Sequence, residues 1–253
     1  MSEVTDHYER LLAAYYTWMF GIPFAEKVAE QKSILTQALH SLKSTLAPQL
    51  AVDLGSGPGF QTIALAQLGF SPVIAIDTSA ELLAELQSHA TNLPIEVHQA
   101  DLRDLINIVP AAQATAIVCM GDTLTHLPTK SEVTTLFQSI SKALIPGGIF
   151  VLTWRDLTPE LHGVDRFLPI RSDENTIMTC FLEYDPTGSQ SEYVTVNDLI
   201  YTRQNGAWAL NKSSYPKLRL NPEWLTHELT AAGLVVDSQS TAGRLLQLIA
   251  RKP

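Results

Sequence analysis

The chain has 253 residues, with 17 Lys+Arg against 26 Asp+Glu and a formal net charge of −9. That length suits one large α/β domain or one domain with an insertion, and the acidic balance argues against nucleic acid or an anionic membrane as partner. No apolar stretch reaches the roughly 18 residues needed to cross a bilayer, and Glu3, Asp6 and Glu9 argue against a signal peptide. Cys119 and Cys180 form no disulfide framework, and Cys119, in an apolar strand-like run, reads as a buried, inert thiol in a reducing cytoplasm.

Residues 1–47 read as a helical segment. Tyr8 to Phe20 is an aromatic-rich first helix that stops near Gly21-Ile22-Pro23. A second helix places apolar residues at Val28, Ile34, Leu35, Ala38, Leu39, Leu42 and Leu46, and Pro48 ends it. From Leu50 the chain alternates. Strand 50–54 leads to helix 60–68, which Gly69 caps, and strand 72–77 leads to helix 79–90. Strand 95–100 ends at Asp101, and strand 114–120 leads through a loop to helix 131–144. Thr78 with Glu81, and Thr129 with Glu132, have capping-box spacing. Pro146-Gly147-Gly148 reads as the turn into strand 149–154. Short apolar runs separated by helices predict a doubly wound parallel sheet, buried on both faces.

The rhythm breaks beyond residue 155. Three strand-like runs, 176–184, 193–203 and 207–218, follow without helices, joined by turns at Pro186-Thr187-Gly188 and Gln204-Asn205-Gly206. Asn-Gly is a strong hairpin signal. Asn221 then caps a last helix with Pro222 at its first position, Gly233 ends it, and strands 234–239 and 244–251 close the chain as a hairpin. The expected organisation is a helical lid over 1–47, a ligand-binding domain from 48–155 and 221–253, and an antiparallel β insertion over 156–220 acting as a substrate cap. Exposed edges of that insertion are open to pairing between two subunits.

Residues 51–59, Ala-Val-Asp-Leu-Gly-Ser-Gly-Pro-Gly, form the most informative segment. A strand runs into Gly55, Gly57 and Gly59 and then into a helix, so backbone N–H groups can approach a ligand closely. Asp53 places a carboxylate at the loop, which repels a pyrophosphate and suits an ammonium group beside a nucleoside. The dinucleotide fingerprint has Gly-x-Gly-x-x-Gly; this loop is Gly-x-Gly-x-Gly.

These residues resemble the class I S-adenosylmethionine-dependent methyltransferases, by motif over about 46–155 and by topology over 221–253. The resemblance implies a Rossmann-like seven-stranded α/β sheet with helices on both faces, and S-adenosyl-L-methionine as cofactor. It matches Asp77 to the family's ribose-binding acid and Asp101 to its adenine-side acid, with Thr78 or Leu102 against the adenine. Met120 and Gly121 fall where the family's cofactor meets backbone, and Tyr16 and Trp18 are candidate lid contacts. The segment Val118 to Pro128 is similar to small-molecule N-methyltransferases of the glycine N-methyltransferase type, with Asp122 where asparagine is usual.

The acceptor side is less determined. Asp122 and His126 are candidate proton acceptors, and Arg155, at the carboxyl edge of the fifth strand, suits an acceptor's carboxylate or phosphate. Arg166 and Arg171 could serve likewise or pair with Asp165, Asp173 or Glu174; Lys217 and Arg219 read as a solvated strand end. There is no Gly-x-Ser-x-Gly and no metal-ligand cluster in the sequence. The reading is methyl transfer to a small molecule, at nitrogen because no dedicated base is visible. A non-catalytic S-adenosylmethionine-binding module and an NAD-dependent oxidoreductase are the alternatives.

Overall fold

The computed structural model describes residues 3–41, 47–185 and 191–253. The predicted turn at 186–188, and Leu42 and Leu46 of the second helix, lie outside the described residues. The N-terminal run begins earlier than the sequence suggested. It comprises α1 (Glu3–His7), a π turn (Tyr8–Leu12), α2 (Ala13–Tyr16) and a 3₁₀ turn (Trp18–Phe20) that Gly21 closes at φ +75°; α3 (Phe24–Ser41) follows.

The main sheet contains β1 (Ala51–Leu54), β2 (Val73–Asp77), β3 (Ile95–Gln99), β4 (Ala114–Cys119), β5 (Leu144–Trp154), β10 (Val235–Ala242) and β11 (Leu245–Arg251) in the order β10-β11-β5-β4-β1-β2-β3. Strands β1 to β5 pair in parallel, while β11 lies antiparallel to β5 and β10 antiparallel to β11. Successive strand residues point to opposite faces. Val52, Leu54, Ile117, Phe150 and Leu152 therefore enter one core, with α7 (Lys130–Ala143) and α8 (Pro222–Ala231). Ala51, Val73, Ala75, Val118 and Val151 enter the other, with α3, α4 (Phe60–Gln67) and α5 (Ala80–His89). A short α6 (Leu105–Ile108) connects β3 to β4.

Two local expectations are corrected. The N-cap of α5 is Ser79, which accepts from the Leu82 N–H, rather than Thr78; Asp77 takes the Ser79 N–H and moves the cap along by one. Pro146-Gly147-Gly148 lies within β5, where the pairing with β4 jumps from Ala114↔Leu144 to Ala116↔Ile149 and the surplus residues bulge. The capping box at Thr129 and Glu132 forms, with the Glu132 N–H donating to Thr129 Oγ1 at 3.2 Å.

The insertion is a second sheet of four antiparallel strands: β6 (Phe167–Ser172), β7 (Thr176–Glu183), β8 (Tyr193–Gln204) and β9 (Ala207–Leu218). The β8–β9 hairpin turns through Asn205 and Gly206, both at positive φ, as the Asn-Gly pair requires. Met178 of β7 and Ile200 of β8 pack against Leu11 and Leu12, so the N-terminal run rests on the insertion. Trp154 joins the layers: its Nε1–H donates to the Leu220 carbonyl at 2.9 Å, where the insertion returns to the main sheet.

Candidate active site

The glycine loop is braced by its neighbours. The N–H groups of Gly55 and Ser56 donate to the Ile76 carbonyl (2.8 and 3.1 Å). The Gly57 N–H donates to Asp77 Oδ2 at 2.8 Å, and the Ser79 N–H to Asp77 Oδ1 at 2.9 Å. Burial pushes the Asp77 carboxyl above its ordinary value, against the opposing pull of those N–H bonds. A Cβ at Gly55 would stand 2.1 Å from Thr123 Cγ2, and one at Gly59 2.1 Å from Leu86 Cδ1. Those two glycines admit close packing by a loop and a helix. At Gly57, φ is +52° and a Cβ would project toward Tyr16 Cε1, 3.7 Å away, so this glycine shapes the open side.

That open side is a narrow cavity with about 800 Å³ of empty space. Of the predicted cofactor residues, Tyr16, Gly55, Gly57, Asp77, Thr78, Asp101, Leu102 and Gly121 line it. Asp101 is gripped by Arg103, whose Nε and Nη2 donate to Oδ1 and Oδ2 at 2.9 and 2.7 Å. Burial alone would raise the Asp101 carboxyl, but the Arg103 hydrogen bonds prevail and hold it below its ordinary value. Arg103 also bonds Glu132, tying this end of the cavity to α7.

A wider cavity of about 2440 Å³ adjoins it, sharing Tyr8, Tyr16, Gly55, Gly121 and His126 as common wall. Met120 and the three predicted catalytic residues, Asp122, His126 and Arg155, line this second chamber. Asp122 accepts the Arg155 backbone N–H at 2.9 Å and Thr125 Oγ1–H at 3.2 Å, and its Oδ2 pairs with Lys217 Nζ at 2.5 Å. Lys217 is thus an enclosed ion-pair partner, not a solvated strand end. His126 is held neutral: burial lowers its pKa well below the ordinary value, and Lys217 and His7 add to the effect. Its Nε2 lies 3.4 Å from Tyr8 Oη, and its Nδ1 is buried without a partner among the described residues.

Three predicted cofactor contacts fall elsewhere. Asp53 lies beneath the loop, 1% exposed, accepting Thr62 Oγ1–H at 2.6 Å, and borders neither cavity. Burial raises its pKa to about 7, against the lowering by Thr62. Gly59 caps α4 under Leu86. Trp18 turns toward the insertion, where its Nε1–H donates to Asp173 Oδ2 at 2.6 Å and the Arg171 guanidinium lies 4.7 Å over its ring. Arg166 packs over Phe181, and neither it nor Arg171 borders either of these two cavities.

Sequence reasoning missed His7, Tyr8 and Asp198 and offered Tyr215 only as a further acceptor-side candidate. Tyr8 and Tyr16 reach both cavities, with ring centroids 6.0 Å apart. In an uninterrupted α-helix two residues so spaced would stand about 80° out of line. The wider π turn at Tyr8–Leu12 takes up that offset, the kind of irregularity often found at functional sites. Among the described residues no three His, Cys, Asp or Glu side chains gather to hold a metal. Both cysteines are free and buried, and burial pushes the Cys180 thiol up to about 12. No described helix is long and apolar enough to cross a membrane.

A seven-stranded sheet in this order, with a glycine loop after β1 and acids ending β2 and following β3, is the fold of class I S-adenosylmethionine-dependent methyltransferases. Residues 51–148 match the family described as "Methyltransferase domain". It is 36% identical over 101 residues to the "Putative methyltransferase YqeM" of Bacillus subtilis (strain 168), covering 40% of each chain. It is 30% identical over 166 residues to the "Glycine/sarcosine N-methyltransferase" of Halorhodospira halochloris, covering 64% of this chain and 60% of the relative. The match thus spans 40% and 60% of the lengths of these two relatives. Among solved structures, the CcbJ methyltransferase from Streptomyces caelestis superposes with a TM-score of 0.75 at 18% identity, covering 100% of this chain and 99% of that one.

Proposed function

We propose that this protein transfers the methyl group of S-adenosyl-L-methionine to a small molecule, at nitrogen. The observation that carries the reading is the pair of cavities meeting at Gly55, Gly121, Tyr8, Tyr16 and His126. A nucleoside cofactor in the narrow one and an acceptor in the wide one would meet end to end. The loop also fits the group chemically. Ser56 Oγ is buried without a partner among the described residues and borders the wide cavity. Each Asp77 oxygen accepts one backbone N–H and keeps a lone pair for a ribose hydroxyl. Thr78, Asp101 and Leu102 stand where the base would lie, and Met120 and Gly121 flank the amino-acid end.

The cofactor supplies an already activated sulfonium methyl; the chain's residues align, exclude water and receive a proton. Holding an acceptor in line is worth about 7–11 kcal/mol of barrier in well-oriented systems. Buried His126, held neutral, can accept a hydrogen bond from the acceptor's amine; as a weak base it passes the proton on to water rather than keeping it. Asp122, committed to Lys217 and to the Arg155 N–H, holds the loop rather than abstracting. Arg155, exposed in the wide cavity, suits a carboxylate or phosphate on the acceptor. Residues 1–47 act as lid, 48–155 with 221–253 bind cofactor, and 156–220 cap the acceptor. The glycine/sarcosine N-methyltransferase likeness supports nitrogen as the methylated atom.

Calorimetry tests this directly: S-adenosylmethionine is expected to bind saturably and NAD not to, and Asp77→Ala is expected to weaken binding at least tenfold, about 1.4 kcal/mol. Saturable NAD binding without S-adenosylmethionine binding would replace the reading with an oxidoreductase. A metabolite screen with labelled S-adenosylmethionine identifies the acceptor, and failure of every amine and hydroxyl compound favours a non-catalytic binding module.

A further inference from the structure

The N-terminal run touches the cofactor-side cavity and the insertion sheet at once, and one buried pair joins the two. Asp198 lies on the inward face of β8, in a row with Val194, Val196 and Ile200, and is 3% exposed. A carboxylate among apolar neighbours needs a donor or counter-charge. His7 of α1 supplies it: its Nε2 lies 3.0 Å from Asp198 Oδ2, and its side chain is fully enclosed. The partners are 191 positions apart in sequence. The His7 ring also packs on Tyr215, centroids 4.2 Å apart, and Tyr215 stacks on His126 at 5.4 Å. From the same short stretch, Val4, Thr5 and Tyr8 wall the narrow cavity.

We infer that His7 and Asp198 are positioning residues for the cofactor, a clasp by which the insertion sheet holds the N-terminal wall against the glycine loop. The inference rests on the reading of that cavity as the S-adenosylmethionine site. The helical run Glu3–Tyr16, interrupted by its π turn, is of a length that is marginal in water without docking. The Trp18–Asp173 contact is exposed and adds little. Together with the packing of Leu11 and Leu12 on Met178 and Ile200, the buried pair sets how often the wall is in place. If the docked fraction falls tenfold, apparent cofactor affinity falls about tenfold with it.

The test uses the full chain and S-adenosylmethionine itself. Affinity is measured by calorimetry for wild type, His7→Gln, Asp198→Asn and the double variant, with Tm and chymotrypsin cleavage between Tyr8 and Phe20 followed in parallel. Each single change weakens binding about fivefold to tenfold, and the double variant is no weaker than either, because both remove one contact. Cleavage accelerates, and cofactor protects the segment less than in wild type. A merely structural pair lowers Tm but leaves affinity, measured far below Tm, at the wild-type value. That result overturns the clasp, as does an additive double variant. His7→Gln alone decides if Asp198→Asn does not fold, since it lies outside both cores of the main sheet. A wild type that binds no S-adenosylmethionine overturns the functional reading and the clasp with it, unlike variants that match a binding wild type.

Discussion

The two sheets divide the candidate site between two kinds of encoding. The main sheet presents its ligand groups through local geometry. Gly55 and Gly57, Asp77 and Asp101 each stand just beyond or at the carboxyl end of a parallel strand, and each is fixed by backbone within a few residues or by the adjacent strand. The insertion sheet contributes through pairs that are distant in sequence. Asp122 meets Lys217, His7 meets Asp198, and His126 meets Tyr8 and Tyr215. A cavity of the first kind can be read from one segment. A chamber of the second kind exists only once β8, β9 and the N-terminal run have docked.

The largest effect that tests this contrast is expected at Lys217. Its side chain and that of Asp122 are each only 11% exposed. Lys217→Met leaves a buried carboxylate without its cation and costs about 3–5 kcal/mol, read as a lower urea midpoint. Adding Asp122→Asn removes the stranded charge and restores most of the loss. If both variants are equally destabilised, the insertion is held by its apolar contacts alone, and the pair is not what joins it to the loop after β4.

Asp77 and Asp101 were legible because strand-to-loop boundaries fix where a strand-end acid must fall. Asp53 was not, because it belongs to a strand buried along its whole length, and the partner that claims it, Thr62, lies on the next helix. Lys217 was read as solvated because β9 alone does not say which residues face inward; its pairing with β8 decides that, opposite Val194. The strand β6 went unread because Pro169 interrupts a short run, and proline there marks an edge position. Trp18 shows the same limit, since a helix address cannot tell which of two sheets a ring will face.

A smaller effect is expected at Asp53 and depends on pH. Its folded pKa near 7 exceeds the ordinary carboxylate value, so the folded chain holds a proton that the unfolded chain releases near pH 4. This contribution to stability is full below about pH 4 and is lost as pH rises through 7. Asp53→Asn is neutral throughout. Its unfolding free energy from urea titration should exceed that of wild type at pH 8 by on the order of 3 kcal/mol relative to their difference at pH 4. Parallel curves would mean that Asp53 is ionised beneath the loop, and the electrostatic reading of the glycine segment would return to a charged acid.

The smallest effect should be at Trp18, and its smallness is informative. Its indole hydrogen bond goes to an exposed Asp173, and Arg171 covers the ring from the insertion side. Trp18→Phe keeps a ring under the guanidinium and loses one solvent-exposed hydrogen bond, worth about 0.5 kcal/mol or less. S-adenosylmethionine affinity should stay within about twofold of wild type, whereas His7→Gln, eleven positions earlier on the same run, should not. A tenfold loss at Trp18 would place the cofactor contact at the outer end of the N-terminal run. The N-terminal run would then close on the glycine loop from the rim inward, not from the buried clasp outward.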